Sequence, residues 1–265
     1  MSEIAATIPL EVEAARPRSE RGVTVRAPGA IEVYRQDFDR QPAAPKWLQS
    51  LREHGFARFE ALGFPTTKNE DWHFTSVAPI SEQPFRLASL SDATAAATGS
   101  ERREASRRKA DAVGPRGVRP ADVERFGFGE SGWHTLVFVN GAYSADLSSA
   151  DGEVVAGSLA HAIEAGNPAV ERHLGRIATF DRHAFTALNT AFVEDGAFIE
   201  ILPEAVVELP IHLVFVSEGE TVSHPRNLIV AGRHSRATLV ETYVSLRDGT
   251  YFTNEIGRAS CRERV

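Results

Sequence analysis

The sequence has little of the chemistry on which redox proteins and disulfide-stabilised proteins depend. It contains a single cysteine, Cys261, among 265 residues. That cysteine lies in the stretch IGRASCRERV at residues 256–265, which breaks the preceding apolar pattern without a turn signal and resembles a translated sequencing adapter. We therefore interpret residues 256–265 as a non-native tail and expect the natural sequence to continue beyond Glu255, which would make this chain a C-terminally truncated fragment. Without Cys261 the chain offers no disulfide, no thiolate ligand and no cysteine nucleophile.

Motifs for nucleotide, metalloprotease and serine hydrolase chemistry are also lacking. The sequence contains no G-x-x-x-x-G-K-[ST], H-E-x-x-H, C-x-x-C or G-x-S-x-G pattern. Gly127, Gly129 and Gly132 fit G-x-G-x-x-G, but they precede a predicted strand instead of joining a strand to a helix. They therefore do not predict a dinucleotide site.

Charge and hydropathy exclude two further classes of partner. The formal net charge is −7, so no overall basic field favours nucleic acid. No apolar run approaches the roughly 20 residues that span a bilayer, and the N-terminus has no continuous apolar segment of the kind found in signal peptides. We expect a cytoplasmic protein that binds neither nucleic acid nor membrane.

What the chain does have is a β-rich second half. Runs of Val, Ile, Leu, Phe and Thr recur between Gly, Pro and Asp residues, at positions 198–202, 211–217, 227–231, 238–246 and 251–254. Such runs predict strands, and we predict that residues 183–255 are all-β. Residues 135–139 predict another strand, and Asn140-Gly141 after it predicts a type I′ turn. The run at 238–246 is apolar or β-branched on both faces, which favours stacked coils over a one-sided meander.

Helical patterns occur before and inside the β-rich half. Residues 45–62 predict a helix that ends at Gly63. Its apolar face consists of Leu48, Leu51, Gly55, Phe59 and Leu62. Residues 158–177 predict two helices, the first capped by Ser158 and the second beginning at Asn167-Pro168. Residues 65–80 predict a short extended segment, because Trp72 and Phe74 alternate with polar residues.

These patterns divide the chain into regions. We predict a mobile N-terminus at residues 1–30, an N-terminal helical region at 31–87, a linker at 88–125, and a β core at 126–255 with a helical insert at about 158–177, before the tail at 256–265. The linker is rich in Ala and Ser and then in basic residues: Arg102, Arg103, Arg107, Arg108, Lys109, Arg116 and Arg119. A solvated linker is the simpler interpretation, and a docking strip for an acidic partner is the alternative.

Three histidines of the β-rich half raise the possibility of a metal-dependent enzyme. His212, His224 and His234 recur at similar intervals along the chain, and a rolled β fold could bring their imidazoles together on zinc, iron or copper. This would be a cupin-like β-barrel enzyme. The H-x-H pair typical of such enzymes is absent, because Pro225 and Arg226 follow His224. We keep this reading as the alternative.

Four stretches carry a more specific signal. They are KNEDWHFT at residues 68–75, LVFVNG at 136–141, FTALNTAFVEDGAFIEI at 185–201, and PRNLIVAGRHSRATLVETYVS at 225–245 with YFTN at 251–254. In this order they resemble the SufB/SufD family of iron–sulfur cluster assembly proteins, whose K-N-E-x-W-x-[YF]-T signature the first stretch matches. The resemblance covers roughly residues 47–255. LVFVNG and the missing cysteines resemble the SufD branch more than the SufB branch.

The resemblance implies a mainly β fold, with a right-handed parallel β-helix core, an N-terminal α-helical region and a C-terminal helical domain that is missing here. It implies a non-catalytic scaffold subunit of the SufBCD complex, which pairs with SufB through the β-helices and holds the SufC ATPase through the missing C-terminal region. It also implies that this chain alone binds no cofactor and that a nascent iron–sulfur cluster is held in the complex. No catalytic, cofactor-binding or metal-ligating residue is carried over, because the family's functional histidine would fall beyond Glu255.

Overall fold

The computed structural model describes residues 30–83, 85–88, 117–128, 132–150 and 155–261. The predicted mobile N-terminus lies outside the described residues, except for Ala30, and so does most of the predicted linker. The helices are α1 (Ala30–Asp39), α2 (Lys46–Leu62), α3 (Ala78–Ser81), α4 (Pro120–Glu124), α5 (Leu159–Glu164), α6 (Pro168–His173) and α7 (Ala184–Ala191), with a 3-10 turn at Glu70–Trp72. No helix in the described ranges is long and apolar enough to cross a membrane.

The strands form three sheets beside these helices. They are β1 (Arg86–Leu87), β2 (His134–Val139), β3 (Ala142–Tyr143), β4 (Val155–Ser158), β5 (Ala197–Ile201), β6 (Ile211–Ser217), β7 (Thr221–Ser223), β8 (Arg226–Ala231), β9 (Leu239–Ser245), β10 (Phe252–Thr253) and β11 (Ile256–Cys261). The β6 sheet has the order β3-β2-β6-β9, the β8 sheet has the order β11-β8-β5-β4, and the β7 sheet has the order β1-β7-β10. Antiparallel pairing occurs at β2–β3 and β4–β5, and the other pairs are parallel.

The parallel pairs from β5 onward are separated by a nearly constant interval along the chain. Phe198 lies opposite Leu228 in the β8 sheet, and Val222 lies opposite Phe252 in the β7 sheet, so the interval is the same in both sheets. In the β6 sheet the corresponding interval, from Ile211 to Leu239, is only slightly shorter. The chain therefore visits the β6, β7 and β8 sheets in turn and then returns to the first of them.

One apolar core lies between the β6 and β8 sheets. Its buried members include Leu136, Phe138, Leu213, Ile199 and Ile229. In the β6 sheet the rings of Phe138, Phe215 and Tyr243 stack in register, with centroids 5.0 and 4.9 Å apart. Aromatic pairs across neighbouring strands stabilise a sheet beyond the area that they bury.

Helices cover the opposite faces of both sheets. Leu159 of α5 and Val170 of α6 pack with Phe198 and Leu228 on the β8 sheet. Val123 of α4 packs with valines of β2 and β6 on the β6 sheet. Strand β6 is consequently buried along its whole length, which explains why residues 213–216 are all apolar instead of alternating with polar residues.

Several predictions from the sequence are confirmed. Strand β6 has the predicted bounds, and α2 ends at Gly63, whose φ is 67°. The hydroxyl of Ser158 accepts a hydrogen bond from the His161 amide, and α6 begins at Pro168. Asn140 and Gly141 join β2 to β3 with φ values of 49° and 85°, as a type I′ turn requires.

Other predictions are wrong or are confirmed only in part. Residues 183–255 are not all-β, because α7 lies at their start. The fold class is confirmed in part, since the predicted sheets and N-terminal helices are present and the described molecule as a whole is mixed α/β. Helix α7 is short, it contains the β-branched residues Thr186 and Thr190, and no side chain caps its first turn. Its own sequence therefore carries a weak helical signal.

Residues 65–80 do not form the extended segment that the alternation of aromatic and polar residues predicted. The Oδ1 atom of Asn69 accepts a hydrogen bond from the Thr66 amide at 2.8 Å and starts a turn, and Glu70–Trp72 continues it as a 3-10 turn. Local side-chain hydrogen bonding of Asn thus overrides the apparent strand pattern.

Part of the segment interpreted as a non-native tail forms a strand. Residues 256–261 lie in β11, which pairs in parallel with β8 from Ile256 opposite Arg226 onward. Backbone pairing of this kind does not depend on the origin of the residues. The interpretation of the tail and the predicted region boundaries both stay predictions.

Candidate functional site: a buried polar junction

The three histidines of the alternative enzyme hypothesis do not meet. His212 lies in β6, where its Nε2 is 2.8 Å from the Thr242 hydroxyl, and His224 follows β7 in a buried position. His234 lies in a turn with a φ of 58° and is exposed. In the described ranges, which include all three, no group of three or more His, Cys, Asp or Glu side chains is placed to hold a metal ion. The cupin-like site on these residues is therefore wrong.

His224 lies where the helices meet the β7 and β8 sheets. Its ring stacks on Phe192 with a centroid distance of 5.1 Å, and its edge contacts Tyr34. Nδ1 accepts a hydrogen bond from Nδ2 of Asn254 at 3.2 Å, which leaves the proton on Nε2, and no described group bonds to Nε2. Complete burial lowers the pKa of His224 to about 3, so the imidazole is neutral at neutral pH.

Asn189 connects α7 to two chain segments that lie one above the other. Its Nδ2 donates to the carbonyl oxygens of Pro225 and Asn254, each at 2.7 Å. Its Oδ1 accepts from Nη1 of Arg226 at 3.0 Å. The side chain has no solvent exposure. One amide thus satisfies polar groups from both segments and from a buried guanidinium, which fixes the helix against the sheets.

Two arginines of this region, Arg226 beside Asn189 and Arg52 of α2, are buried. Burial lowers the pKa of Arg226 to about 10, which still leaves it charged at neutral pH. Arg52 of α2 donates from Nε and Nη2 to the carbonyl of Val193, at 3.0 and 2.7 Å, and from Nη1 to the carbonyl of Pro42 at 3.3 Å. Both guanidiniums therefore serve as hydrogen-bond donors inside the protein.

Asp195 provides the corresponding acceptor group. Its carboxylate accepts from the Tyr143 amide at 2.8 Å, the Ala160 amide at 3.0 Å and the Ser158 hydroxyl at 2.8 Å. Burial raises the pKa of Asp195, and these hydrogen bonds act in the opposite direction. The carboxylate joins β3, the start of α5 and the approach to β5.

We call these buried groups the polar junction: Arg52, Asn189, Asp195, His224, Arg226 and Asn254. These residues do not stand out as a unit in the sequence, although Asn189, Asp195, Arg226 and Asn254 all lie within the stretches that resemble the SufB/SufD family. The signal that could have found them is the presence of Asn, Asp and Arg inside otherwise apolar runs. Buried polar groups of this kind need partners, and that need predicts contact between those runs.

The KNEDWHFT stretch has a different setting. Trp72 packs against Phe185 with a centroid distance of 5.1 Å, which attaches the stretch to α7. Phe74 points outward and is 96% exposed. Trp72 therefore attaches the stretch to the protein, whereas Phe74 is exposed on the surface.

The chain is similar to known proteins over most of its length. Residues 130–213 match the family model described as the SufBD protein N-terminal region. The iron–sulfur cluster assembly protein SufD of Bacillus subtilis (strain 168) is 28% identical over 223 residues, which are 81% of this chain and 45% of that protein. The iron–sulfur cluster assembly SufBD family protein slr0076 of Synechocystis sp. is 24% identical over 189 residues, which are 69% of this chain and 36% of that protein.

A third relative agrees with these two. The iron–sulfur cluster assembly SufBD family protein ycf24 of Porphyra purpurea is 30% identical over 111 residues, which are 42% of this chain and 22% of that protein. The chain thus spans less than half the length of the curated relatives that it matches. By the matching family model and these relatives, the chain is similar to proteins of the SufB/SufD family, SufD of Bacillus subtilis among them.

Proposed function

We propose that this chain is a scaffold subunit in iron–sulfur cluster assembly. The names of its relatives refer to that process. The observation that carries the proposal is the polar junction, because the polar residues of the family-like stretches bond to each other and to the backbone inside the protein. Such an arrangement builds a rigid body, as a scaffold requires, instead of presenting reactive groups to a substrate.

The fold that best suits this role is a right-handed parallel β-helix. The nearly constant interval between paired strands in the β6, β7 and β8 sheets supports it, since each such interval would make one coil. Pairing with SufB through this β-helix, and with the SufC ATPase through sequence beyond the region described here, completes the proposal. The nascent cluster would form in that complex, with no cofactor bound by this chain alone.

The proposal assigns this chain no catalytic step. His224 is neutral at neutral pH and fully buried, and its only described hydrogen bond is to Asn254. It is therefore poorly placed to exchange protons with a substrate. The other groups of the junction are held by internal hydrogen bonds of comparable length.

Co-purification tests the assembly role. The full-length natural protein, mixed with SufB and SufC, should elute with both from a size-exclusion column, and iron and sulfide should be bound by the complex and not by this subunit alone. Separate elution of this subunit, while SufB and SufC together still assemble a cluster, would contradict the proposal.

A matched variant tests the absence of catalysis. His224→Phe keeps an aromatic ring at this position but removes the titratable imidazole nitrogens. Complexes that contain this variant should assemble clusters at the wild-type rate per mole of complex. A large loss of rate in a complex of normal size and stability would show that His224 takes part in the chemistry.

A further inference from the structure

Two glutamates from different parts of the fold meet near the last strands of the β6 and β8 sheets. Glu241 lies in β9, and Glu255 lies between β10 and β11. The Nδ2 atom of Asn227, in β8, donates to Oε1 of Glu241 at 3.2 Å and to Oε1 of Glu255 at 3.0 Å. One amide group thus bonds to both carboxyl groups and holds them close enough for their charges to interact.

The donors on either side of this pair are fixed in place. Asn227 is 1% exposed, and its Oδ1 accepts from the Ala197 amide at 2.9 Å, so its Nδ2 faces the carboxyl groups. The Tyr243 hydroxyl donates to Oε2 of Glu241 at 3.0 Å, and the Tyr243 ring is stacked on Phe215. The two carboxyl groups are therefore held together by groups that belong to the folded sheets.

The positive charges near the pair do not fully offset its negative charge. Arg226 and Arg258 face Glu255, but Nη1 of Arg226 is already bonded within the polar junction and Arg258 is exposed. Burial and the charge of Glu241 raise the pKa of Glu255 to about 7, and the Tyr243 hydroxyl and the two arginines oppose this rise only in part. The pair therefore gains its second negative charge near neutral pH.

Glu255 lies next to a residue that connects several elements. The Asn254 amide donates to the Ser223 carbonyl at 2.9 Å, and the Asn254 carbonyl accepts from Nδ2 of Asn189 at 2.7 Å. These bonds join the segment after β10 to β7 and to α7. A force on the Glu255 side chain consequently acts on a segment that links helices and sheets.

We propose that Glu241 and Glu255 form a pH-sensitive contact that holds the segment after β10 against β8 and β9. While the pair keeps one proton, a single negative charge lies beside the Asn227 and Tyr243 donors. When that proton is lost, two negative charges face each other across one amide group, and their repulsion loosens the segment. The stabilising effect is complete at acid pH and is lost as the pH rises through about 7. This proposal is independent of the role in cluster assembly.

Carbon-13 NMR of the glutamate carboxyl groups, recorded on the full chain as the pH is raised from acid to alkaline, measures the titration. The signal of Glu255, assigned from its absence in Glu255→Gln, should have its midpoint near 7. Glu241→Gln should lower that midpoint by at least about one pH unit, because it removes the neighbouring charge. Glu208→Gln is the matched control, since Glu208 is exposed between β5 and β6 and its loss should leave the midpoint unchanged.

Hydrogen exchange at the Asn254 amide tests the effect on structure. The protection factor of the wild type, divided by that of Glu255→Gln, should fall about tenfold or more between about pH 5 and about pH 8. Other titrating groups, His224 included, cancel in this ratio. Three outcomes would overturn the proposal: an ordinary acidic midpoint for Glu255 in the folded protein, equal midpoints in Glu241→Gln and Glu208→Gln, or a protection ratio that does not vary with pH.

Discussion

Arg52 is a buried guanidinium whose described hydrogen bonds all go to backbone carbonyl groups. Two bonds to the Val193 carbonyl join α2 to the segment after α7, and one bond to the Pro42 carbonyl joins α2 to the segment before it. Arg52 is 4% exposed. Hydrogen bonds from a charged donor contribute about 1.5–3 kcal/mol. Burying the charge opposes this contribution, and burial lowers the pKa of Arg52 accordingly.

Arg52→Met tests which of the two effects is larger. Methionine retains the length of the side chain but leaves the Val193 carbonyl without this donor, so we expect the free energy of unfolding to fall by about 2 kcal/mol. Urea denaturation measures the change. Arg58→Met is the matched control, because Arg58 lies in the same helix and donates to the Asp181 carbonyl in an exposed setting. Its effect should stay within about 0.5 kcal/mol, and equal effects of the two variants would contradict the argument.

The buried imidazole of His224 makes stability depend on pH. Its pKa is about 3 in the folded protein and near 6.5 in the unfolded chain. Above pH 6.5 both states are neutral at this residue, so the group has no effect. As the pH falls below 6.5 the unfolded state takes up a proton that the folded state does not, and stability is lost down to about pH 3.

His224→Phe should remove this dependence. The free energy of unfolding of the wild type, relative to the variant, should fall by about 1.4 kcal/mol per pH unit once the pH is well below 6, and should be constant above pH 7. Urea denaturation at a series of pH values measures the difference, and the contribution of His212 cancels because both proteins contain it. A difference that does not vary with pH would mean that His224 is hydrated or paired when folded.

At the scale of elements, the contact between α2 and α7 depends on a missing side chain. A Cβ atom at Gly55 would lie 2.8 Å from the amide nitrogen of Ala191 and 3.1 Å from the carbonyl oxygen of Ala187. These are backbone atoms of α7 and cannot move aside independently. The two helices approach each other this closely only because residue 55 is glycine.

Gly55→Ala therefore sets two effects against each other. Alanine favours the helix by about 1 kcal/mol, whereas overpacking costs about 1–3 kcal/mol. We expect the steric term to be larger, with a net loss of about 1–2 kcal/mol in urea denaturation. Gly157→Ala is the control, since nothing lies within 4 Å of a Cβ atom there, and it should be neutral within about 0.5 kcal/mol. A stabilising effect of Gly55→Ala would mean that the helices separate at little cost.

Elements with a strong local signal could be predicted from the sequence, and elements that form through distant contacts could not. Strand β6 and helix α2 have their apolar residues at the required spacing within their own sequence. Strand β7 is short and depends on pairing with β1 and β10, which lie far away in the chain. Helix α7 likewise depends on α2. The three histidines show the same limit, because their spacing along the chain did not predict their distance in space.

At the scale of the whole molecule, the polar junction makes helices and sheets interdependent. Asn189 of α7 donates to the carbonyl of Pro225, between β7 and β8, and to the carbonyl of Asn254, between β10 and β11. Helix α7 also packs against α2. The described helices and sheets should therefore unfold as one cooperative unit. Two separately stable units would require few contacts between the helices and the sheets. The hydrogen bonds of the polar junction cross between them and therefore oppose such a division.

Asn189→Ala tests this coupling. The variant leaves two buried carbonyls without their donor and removes an acceptor from Arg226, so we expect a loss of about 2–4 kcal/mol in the free energy of unfolding. Hydrogen exchange should show that amides of α2 and of β8 lose protection by the same amount of free energy, because both open in the same event. If α2 alone lost protection while β8 kept the wild-type rates, the helices would be an independently unfolding cap, and the junction would be a contact between two units instead of the centre of one.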